Sequence, residues 1–182
     1  MRGDLMSNLH KVFTNQRTKQ KFIQPKPTDV EKTYDGRPMI TETDKDGIIT
    51  YANRNFLEFN GFEKKELIGL PHSVLRHPET PKGVYRAMWK IISQKKVWRG
   101  YLKNLCRDGS YYWALVYIQP KLDENGEIVG YVANRRDAYP RAIIEVSRKY
   151  SELQGDEHID DPYFMRAELH HGDDVATFNS KI

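Results

Sequence analysis

The chain has 182 residues, enough for one domain with extensions, and its 29 basic and 25 acidic residues leave a net charge of +4. This mild charge includes no long basic run and no recognisable nucleic-acid motif, which argues against DNA or RNA as a partner. No apolar run approaches the ~20 residues that a membrane span needs, so we expect a soluble chain, held at a membrane only through a partner.

A single cysteine, Cys106, further limits the function. It cannot form an intrachain disulfide or a cysteine-cluster metal site, and it suits a reducing compartment, so we expect a cytoplasmic protein. The N-terminus has no apolar core of the signal-peptide type. Because the central region has no Gly-rich phosphate loop, nucleophile elbow or metal-ligand pair at helical spacing, we do not expect an enzyme.

The first 36 residues are polar and basic and are predicted to be an arm or linker. Leu5, Leu9, Val12 and Phe13 recur at helical spacing, which allows a short helix there. Composition divides the chain into this arm (1–36), a central domain (37–138) and a C-terminal extension (139–182).

The central domain alternates between strand patterns and helix patterns. The predicted strands are Met39–Thr43, Ile48–Ala52, Val97–Leu105, Tyr111–Pro120 and Glu127–Arg136, and the predicted helices are Asn53–Asn60, Glu63–Leu67 and Lys82–Gln94. Turn sequences containing Asp-Gly or Asn-Gly separate neighbouring strands. This order predicts an α+β fold, a five-stranded antiparallel sheet with short helices on one face. A small-molecule cavity is expected between the two layers.

A loop over residues 67–81 carries three prolines together with His72, Arg76, His77 and Glu79. Because proline fixes φ and removes a hydrogen-bond donor, this segment is a shaped connection and not a long helix. Cationic and imidazole groups on such a loop are well suited to bind a polar ligand. The alternative is that the prolines cap short helices and the charges face water.

The C-terminal extension begins with a predicted amphipathic helix, Arg141–Gln154. Its apolar stripe consists of Ala142, Ile143, Val146, Tyr150 and Leu153. The sheet, a second copy of the chain or a partner protein must cover this stripe. From Gly155 onward the chain becomes an acidic tail, in which His170-His171 beside Asp173-Asp174 form only a weak metal-site pattern.

Several strings in the central domain resemble a PAS domain, in particular the PAS sensors of bacterial aerotaxis receptors (Aer-like) and their PAS-only relatives in energy taxis (CetB-like). The strings are DGIITYAN (46–53), FNGF (59–62), ELIG (66–69), RHP (76–78) with His72 and Pro81, WRG (98–100) with Lys103-Asn104, DGSYYW (108–113) and Gly130-Tyr131. The first string is typical of PAS domains in general, whereas the RHP string combined with Trp98 to Asn104 is far more particular.

The resemblance implies the PAS fold and a noncovalently bound FAD whose redox state is the signal. The flavin contacts it implies are Asn53, His72, Arg76, His77, Glu79, Trp98, Asn104 and Trp113. Position 79 is usually Asp in the aerotaxis type, so a contact made through the longer Glu79 side chain is less secure. The implied partner is a separate membrane-bound chemoreceptor or signalling protein, and a homodimer is a further option.

The residues themselves suit a flavin ring, which has apolar faces and one hydrogen-bonding edge. In the strand Val97–Leu105 alternate side chains share a face. One face holds Trp98, Gly100, Leu102 and Asn104. The other face holds Arg99, Tyr101 and Lys103, which we expect to face solvent. Arg76 would stabilise negative charge on a reduced ring, and His72 or His77 could couple reduction to proton uptake.

Three alternatives remain open at this stage. Haem could bind through His72 or His77, as in some PAS domains. A blue-light flavin sensor needs a cysteine beside the ring, but Cys106 lies at a strand end. The third alternative is an interaction module without a ligand. For signal output we hypothesise that the C-terminal helix, or an outer sheet face bearing Tyr101 and Tyr112, docks on the chemoreceptor.

Overall fold

The structure of the protein is a computed structural model that describes residues 11–153. The strands are β1 Val12–Thr14, β2 Lys21–Ile23, β3 Met39–Asp44, β4 Ile49–Ala52, β5 Trp98–Leu105, β6 Tyr111–Leu122 and β7 Ile128–Arg136. The helices are α1 Arg54–Asn60, α2 Lys64–Leu67, α3 Lys82–Ile92 and α4 Pro140–Glu152, with a 3₁₀ helix at His72–Leu75. The five strands and four helices predicted from Met39 onward are confirmed, with boundaries that differ by at most two residues.

The five predicted strands form one antiparallel sheet in the order β4-β3-β7-β6-β5. The predicted α+β fold is therefore confirmed. Tight turns connect the hairpins, and Gly47 and Gly126 adopt φ of +82° and +75° in them, a conformation that suits glycine. We call the side that packs against α1, α3 and the 3₁₀ helix the inner face, and the opposite side the outer face.

Helix α4 covers the outer face. Its Ala142, Val146 and Tyr150 side chains are buried in the core, and the Tyr150 hydroxyl donates a 2.7 Å hydrogen bond to the carbonyl of Tyr101. The Tyr150 ring also lies 6.2 Å from that of Trp113, centroid to centroid. The apolar stripe of α4 is therefore covered by the sheet of the same chain, which is one of the three possibilities named above.

This cover overturns the expectation that the outer face of β5 meets solvent. Arg99, Tyr101 and Lys103 are all at most 9% exposed. Tyr112, which we had assigned to an outer docking surface, instead points to the inner face and packs edge-to-face on Phe59 at 5.0 Å. Alternation alone assigned side chains to two faces, but it could not show which face α4 would cover.

The N-terminal segment is not a free linker, because residues 12–34 lie along the domain as what we call the N-terminal strap. Its first part is the antiparallel hairpin of β1 and β2, so the predicted helix is wrong for Val12 and Phe13, while Leu5 and Leu9 lie outside the described residues. Phe22 of the hairpin is 5% exposed and packs on Phe62 with ring centroids 5.8 Å apart.

The strap also supports the loop before α3. The Asn15 amide donates to the carbonyls of Glu66 and Ile68, and the Gln24 amide donates to the carbonyl of Val74 in the 3₁₀ helix at 2.8 Å. At Gly69, a Cβ would lie 2.2 Å from the Asn15 side-chain oxygen, so this close contact requires glycine.

Within residues 11–153, no helix is long and apolar enough to cross a membrane. The predicted acidic tail from Gly155 onward, with its His170-His171 pattern, lies outside the described residues.

Candidate ligand pocket

A cavity lies between the inner face of the sheet, helix α3 and the 3₁₀ helix. The empty space in and in front of it totals about 590 Å³, a volume that includes the open solvent at its mouth. Its apolar walls are Leu75, Met88, Trp89, Ile92, Leu102, Val116, Ile118 and Ala133. Its polar groups are Thr41, Thr43, His72, Arg76, Tyr85, Asn104, Tyr131 and Arg135. An apolar cavity with a few fixed polar groups is typical of a cofactor site.

Arg135, on the central strand β7, is the most deeply buried cation of the cavity wall, at 1% exposure. Its Nη1 donates to the Thr41 hydroxyl at 3.1 Å, and its Nη2 donates to His72 Nε2 at 2.9 Å. Its Nε has no hydrogen-bond partner, and among the described residues no carboxylate forms an ion pair with it. A buried charge without a counter-charge lowers the stability of the fold, and this cost favours a functional role for Arg135.

His72 is held neutral by this arrangement. Burial, with the nearby charges of Arg135 and Arg76, lowers the pKa of His72 to about 3. Because a guanidinium only donates, His72 Nε2 must accept, and the ring proton is assigned to Nδ1. The expectation that His72 changes protonation near neutral pH is therefore wrong.

Arg76 and Asn104 meet at the rim where the loop crosses the edge strand. Their backbones form an isolated antiparallel bridge, and both side chains line the cavity. The Arg76 guanidinium carbon lies 4.0 Å above the ring centroid of Tyr85, a cation–π contact. Arg76 too forms no ion pair within residues 11–153, and burial lowers its pKa from the usual value. Of the eight predicted flavin contacts, His72, Arg76 and Asn104 line the cavity.

Asn53 has a different, structural position. It is the N-cap of α1, and its side-chain oxygen accepts from the backbone N–H groups of Phe56 and Ile40 at 3.0 and 3.1 Å. Its amide group donates to the carbonyl of Pro38 at 3.0 Å. These bonds fix the start of α1 against β3, and Asn53 does not line the cavity.

His77 and Glu79 lie beyond the rim, on the outside of β5. His77 Nδ1 accepts from the Glu79 backbone N–H at 3.2 Å, and its ring packs edge-to-face on Tyr111 at 5.7 Å. Glu79, whose side chain is 69% exposed, pairs with Lys103. Burial and the Lys103 charge lower the pKa of His77 to about 4, so this histidine is also neutral at pH 7. Neither side chain lines the cavity.

The two predicted tryptophans lie on opposite faces of the sheet. Trp98 is on the inner face, fully buried and not part of the cavity lining, and its indole N–H has no partner among the described residues. Trp113 is on the outer face, opposite Lys103 and against Tyr150. Trp113 therefore lies away from the cavity, and we leave it out of the candidate site.

Sequence reasoning missed Arg135, Thr41 and Tyr85. The signal for Arg135 was present in the alternation of β7, because Tyr131, Ala133 and Arg135 share one parity and all three line the cavity.

Comparison with known proteins identifies the domain. A family model for the PAS fold matches residues 37–138. The aerotaxis receptor of Escherichia coli (strain K12) is 34% identical over 119 residues, which are 65% of this chain and 23% of that receptor. The nitrogen fixation regulatory protein of Klebsiella pneumoniae is 37% identical over 98 residues, 54% of this chain and 20% of that protein.

Solved structures agree on the fold. The light-state structure of the LOV domain of the blue-light photoreceptor Aureochrome1 superposes with a TM-score of 0.54 at 26% identity, covering 61% of this chain and 90% of that one. The present chain spans less than a quarter of the length of the two curated relatives.

Proposed function

This chain belongs to the PAS family, and from that premise we propose that it is a redox sensor for energy taxis that binds FAD noncovalently in the inner-face cavity. The observation that carries the proposal is an apolar cavity with two guanidinium groups and no paired carboxylate among the described residues. The resemblance to the aerotaxis type supplies the choice of FAD. When bound, a flavin supplies a reversible change of charge and hydrogen bonding on its ring.

The cavity residues fit such a group. Met88, Ile92 and Val116 provide apolar walls for the faces of a flat ring. Arg135 Nε is a buried donor without a partner, as expected where a ligand oxygen or nitrogen is to be bound. Arg76 and Asn104 provide donors at the rim, where a charged extension of the ligand would leave the cavity.

Haem is a weaker candidate for this cavity. Iron needs a free histidine nitrogen, but Nε2 of His72 already accepts from Arg135, and His77 does not line the cavity. A cysteine-based light reaction is disfavoured as well, because the buried Cys106 lies outside the cavity lining.

We further propose that the signal leaves through α4 to a separate chemoreceptor. Strand β7, which carries Arg135 on the inner face, leads through Asp137 to the start of α4. Arg135 is therefore only five residues before the first residue of this helix. The buried stripe of α4 is occupied by the sheet, which leaves its far side for docking. Ile144 on that side is 72% exposed. A ligand state that favours one of two positions of α4 would be enough to transmit the change.

An absorption spectrum of freshly purified protein, with identification of the released pigment, tests the binding proposal. We expect flavin bands that bleach with dithionite, and FAD in the supernatant after denaturation. Arg76→Met should weaken FAD binding by about 10- to 100-fold, through loss of a charged hydrogen bond, while the exposed Arg86→Met should not. A colourless protein that takes up no added FAD, or a haem Soret band, would rule the flavin out.

The relay is tested separately in a motile host. Ile144→Asp should abolish movement in an oxygen gradient with FAD occupancy unchanged. Val129→Asp, a matched change at an exposed residue of β7, should leave the movement intact. Normal taxis of the Ile144→Asp strain would place the output surface elsewhere.

A further inference from the structure

The charge around Arg135 is unusual for a protein interior. His72 is neutral, and burial raises the pKa of Tyr34, Tyr85 and Tyr112 to about 12, so these hydroxyls are neutral too. The nearest other charge that lines the cavity is that of Arg76, which is also positive. Within the part of the chain that the structure describes, the inner wall of the cavity therefore carries positive charge without a paired carboxylate.

Arg135 is also fixed in direction. Thr41 and His72 each accept from one end of its guanidinium fork, and the ring of Phe56 lies 4.9 Å below its central carbon. The backbone carbonyl of the same residue accepts a 2.7 Å hydrogen bond from the Tyr34 hydroxyl of the strap. Because side chain and backbone are both held, the remaining Nε–H cannot rotate away to find a protein acceptor.

We propose that Arg135 is the residue that determines the charge preference of this cavity: it binds the electron-rich edge of the ring and favours the reduced over the oxidised ligand. This inference rests on the proposed flavin. Two electrons from a reductant add two negative charges to the ring, and protons from solvent neutralise one or both of them. A fixed buried cation stabilises whatever negative charge or electron density remains on that edge.

The consequence is a higher midpoint potential. If Arg135 binds the reduced ligand tenfold more strongly, relative to the oxidised one, than a neutral residue would, the potential rises by about 30 mV for a two-electron couple. Arg76 lies at the rim and contributes in the same direction, but its ring contact with Tyr85 already satisfies part of its charge.

The experiment compares two neutral variants, Arg135→Gln and Arg135→Met, with Arg135→Lys and with the control Arg136→Gln. Arg136 is the next residue of the same strand, exposed on the outer face above Tyr117. Purified proteins loaded with FAD are titrated with dithionite against reference dyes, and FAD affinity is measured by fluorescence quenching. Melting curves without FAD identify any variant that does not fold, and either neutral variant is sufficient for the comparison.

The neutral variants should have midpoint potentials about 30 mV or more below the wild type, with weaker FAD binding. Arg135→Lys keeps the charge but loses the fork, so it should bind FAD more weakly yet keep most of the potential. Arg136→Gln should change neither quantity. Neutral variants with the wild-type potential would overturn the inference and leave the flavin proposal intact, and so would a lysine variant that falls as far as they do. Wild-type protein that takes up no FAD would overturn both.

Discussion

Buried cations on the two faces of the same sheet differ in the partners that they have. On the outer face the buried ammonium group of Lys103 pairs with the Glu79 carboxylate. On the inner face Arg135 has, among residues 11–153, hydrogen bonds only to neutral groups, and one of its donors has no acceptor there.

This difference distinguishes a face whose buried groups serve folding from a face whose buried groups are candidates for ligand binding. Burying a polar group without a partner costs free energy, so such groups persist where something other than folding requires them. The outer face is a finished packing surface that α4 completes. On the inner face Nε of Arg135 lacks an acceptor among the described residues, and the proposed ligand would supply one.

The largest effect is expected from removal of the outer cover. A chain that ends at Ala138 loses α4 and exposes the apolar side chains of the outer face. We expect it to lose more than about 4 kcal/mol of unfolding free energy, from the burial of Val146 and Tyr150 together with the surface they cover. Urea titration should show no such loss for a chain that ends at Leu153. Equal stability of the two chains would mean that α4 does not complete the fold.

In acid, His72 on the inner face should lower the unfolding free energy more than His77 at the outer edge of the sheet. The folded pKa of His72 is about 3, whereas an unfolded histidine titrates near 6.5. Its contribution is complete above pH 6.5, and it is lost as the pH falls from about 6.5 toward about 3, because only the unfolded state takes up the proton. By pH 4.5 the loss is on the order of 2–3 kcal/mol.

Urea midpoints measured between pH 7 and about 3 check this, and His72→Gln should flatten the curve. The folded pKa of His77 is about 4, and this histidine lies at the outer edge of the sheet. His77→Gln should flatten the curve almost as much down to pH 4.5, but less below about pH 4, where folded His77 takes up its proton and folded His72 does not. Equal flattening below about pH 4 would contradict the difference between the two sites.

A single outer-face hydrogen bond should have a moderate effect. Tyr150→Phe removes the hydroxyl that donates to the Tyr101 carbonyl in the buried contact between α4 and β5. We expect a loss of about 1–1.5 kcal/mol in unfolding free energy, with FAD binding unchanged. Tyr139→Phe, at a residue that is 51% exposed, is the matched control. A larger effect on FAD than on stability would show that the outer face belongs to the binding site.

The smallest effect is expected at Glu79, which the resemblance assigns to the flavin and the structure places outside. Its hydrogen bond with Lys103 holds the pKa of the Glu79 carboxyl below its usual range. Since the side chain is mostly exposed, Glu79→Gln should cost less than about 1 kcal/mol near neutral pH. This contribution also disappears as the pH falls through the lowered pKa. Glu63→Gln is the control, and fluorescence quenching should show the same FAD affinity for both variants.

The sheet and helices from Met39 onward could be predicted because their periodicity, turns and caps agree. Asn53 and Gly61, for example, mark the two ends of α1 in the sequence and in the structure. The hairpin of β1 and β2 was missed because its turn contains neither glycine nor proline. Lys19 takes the positive φ of 62° there, and the side chain of Asn15 accepts from the N–H groups of the turn.

The candidate site was predictable only in part, for reasons of register. The loop residues His72 and Arg76 were recognisable from their composition. The alternation of β7 places Arg135 on the same face as Tyr131 and Ala133, but only the packing of the strand between β3 and β6 shows that this face lines the cavity. The face of Trp113 depends in the same way on where α4 packs.

Position 135 is a junction of three parts of the molecule. Its side chain forms the cavity wall, its carbonyl is tied to Tyr34 at the end of the strap, and five residues later the chain enters α4. A displacement of less than an ångström along this strand would lengthen the Tyr34 bond and move the root of α4 together. The N-terminal strap and helix α4 therefore both connect to the strand that carries the buried cation of the cavity.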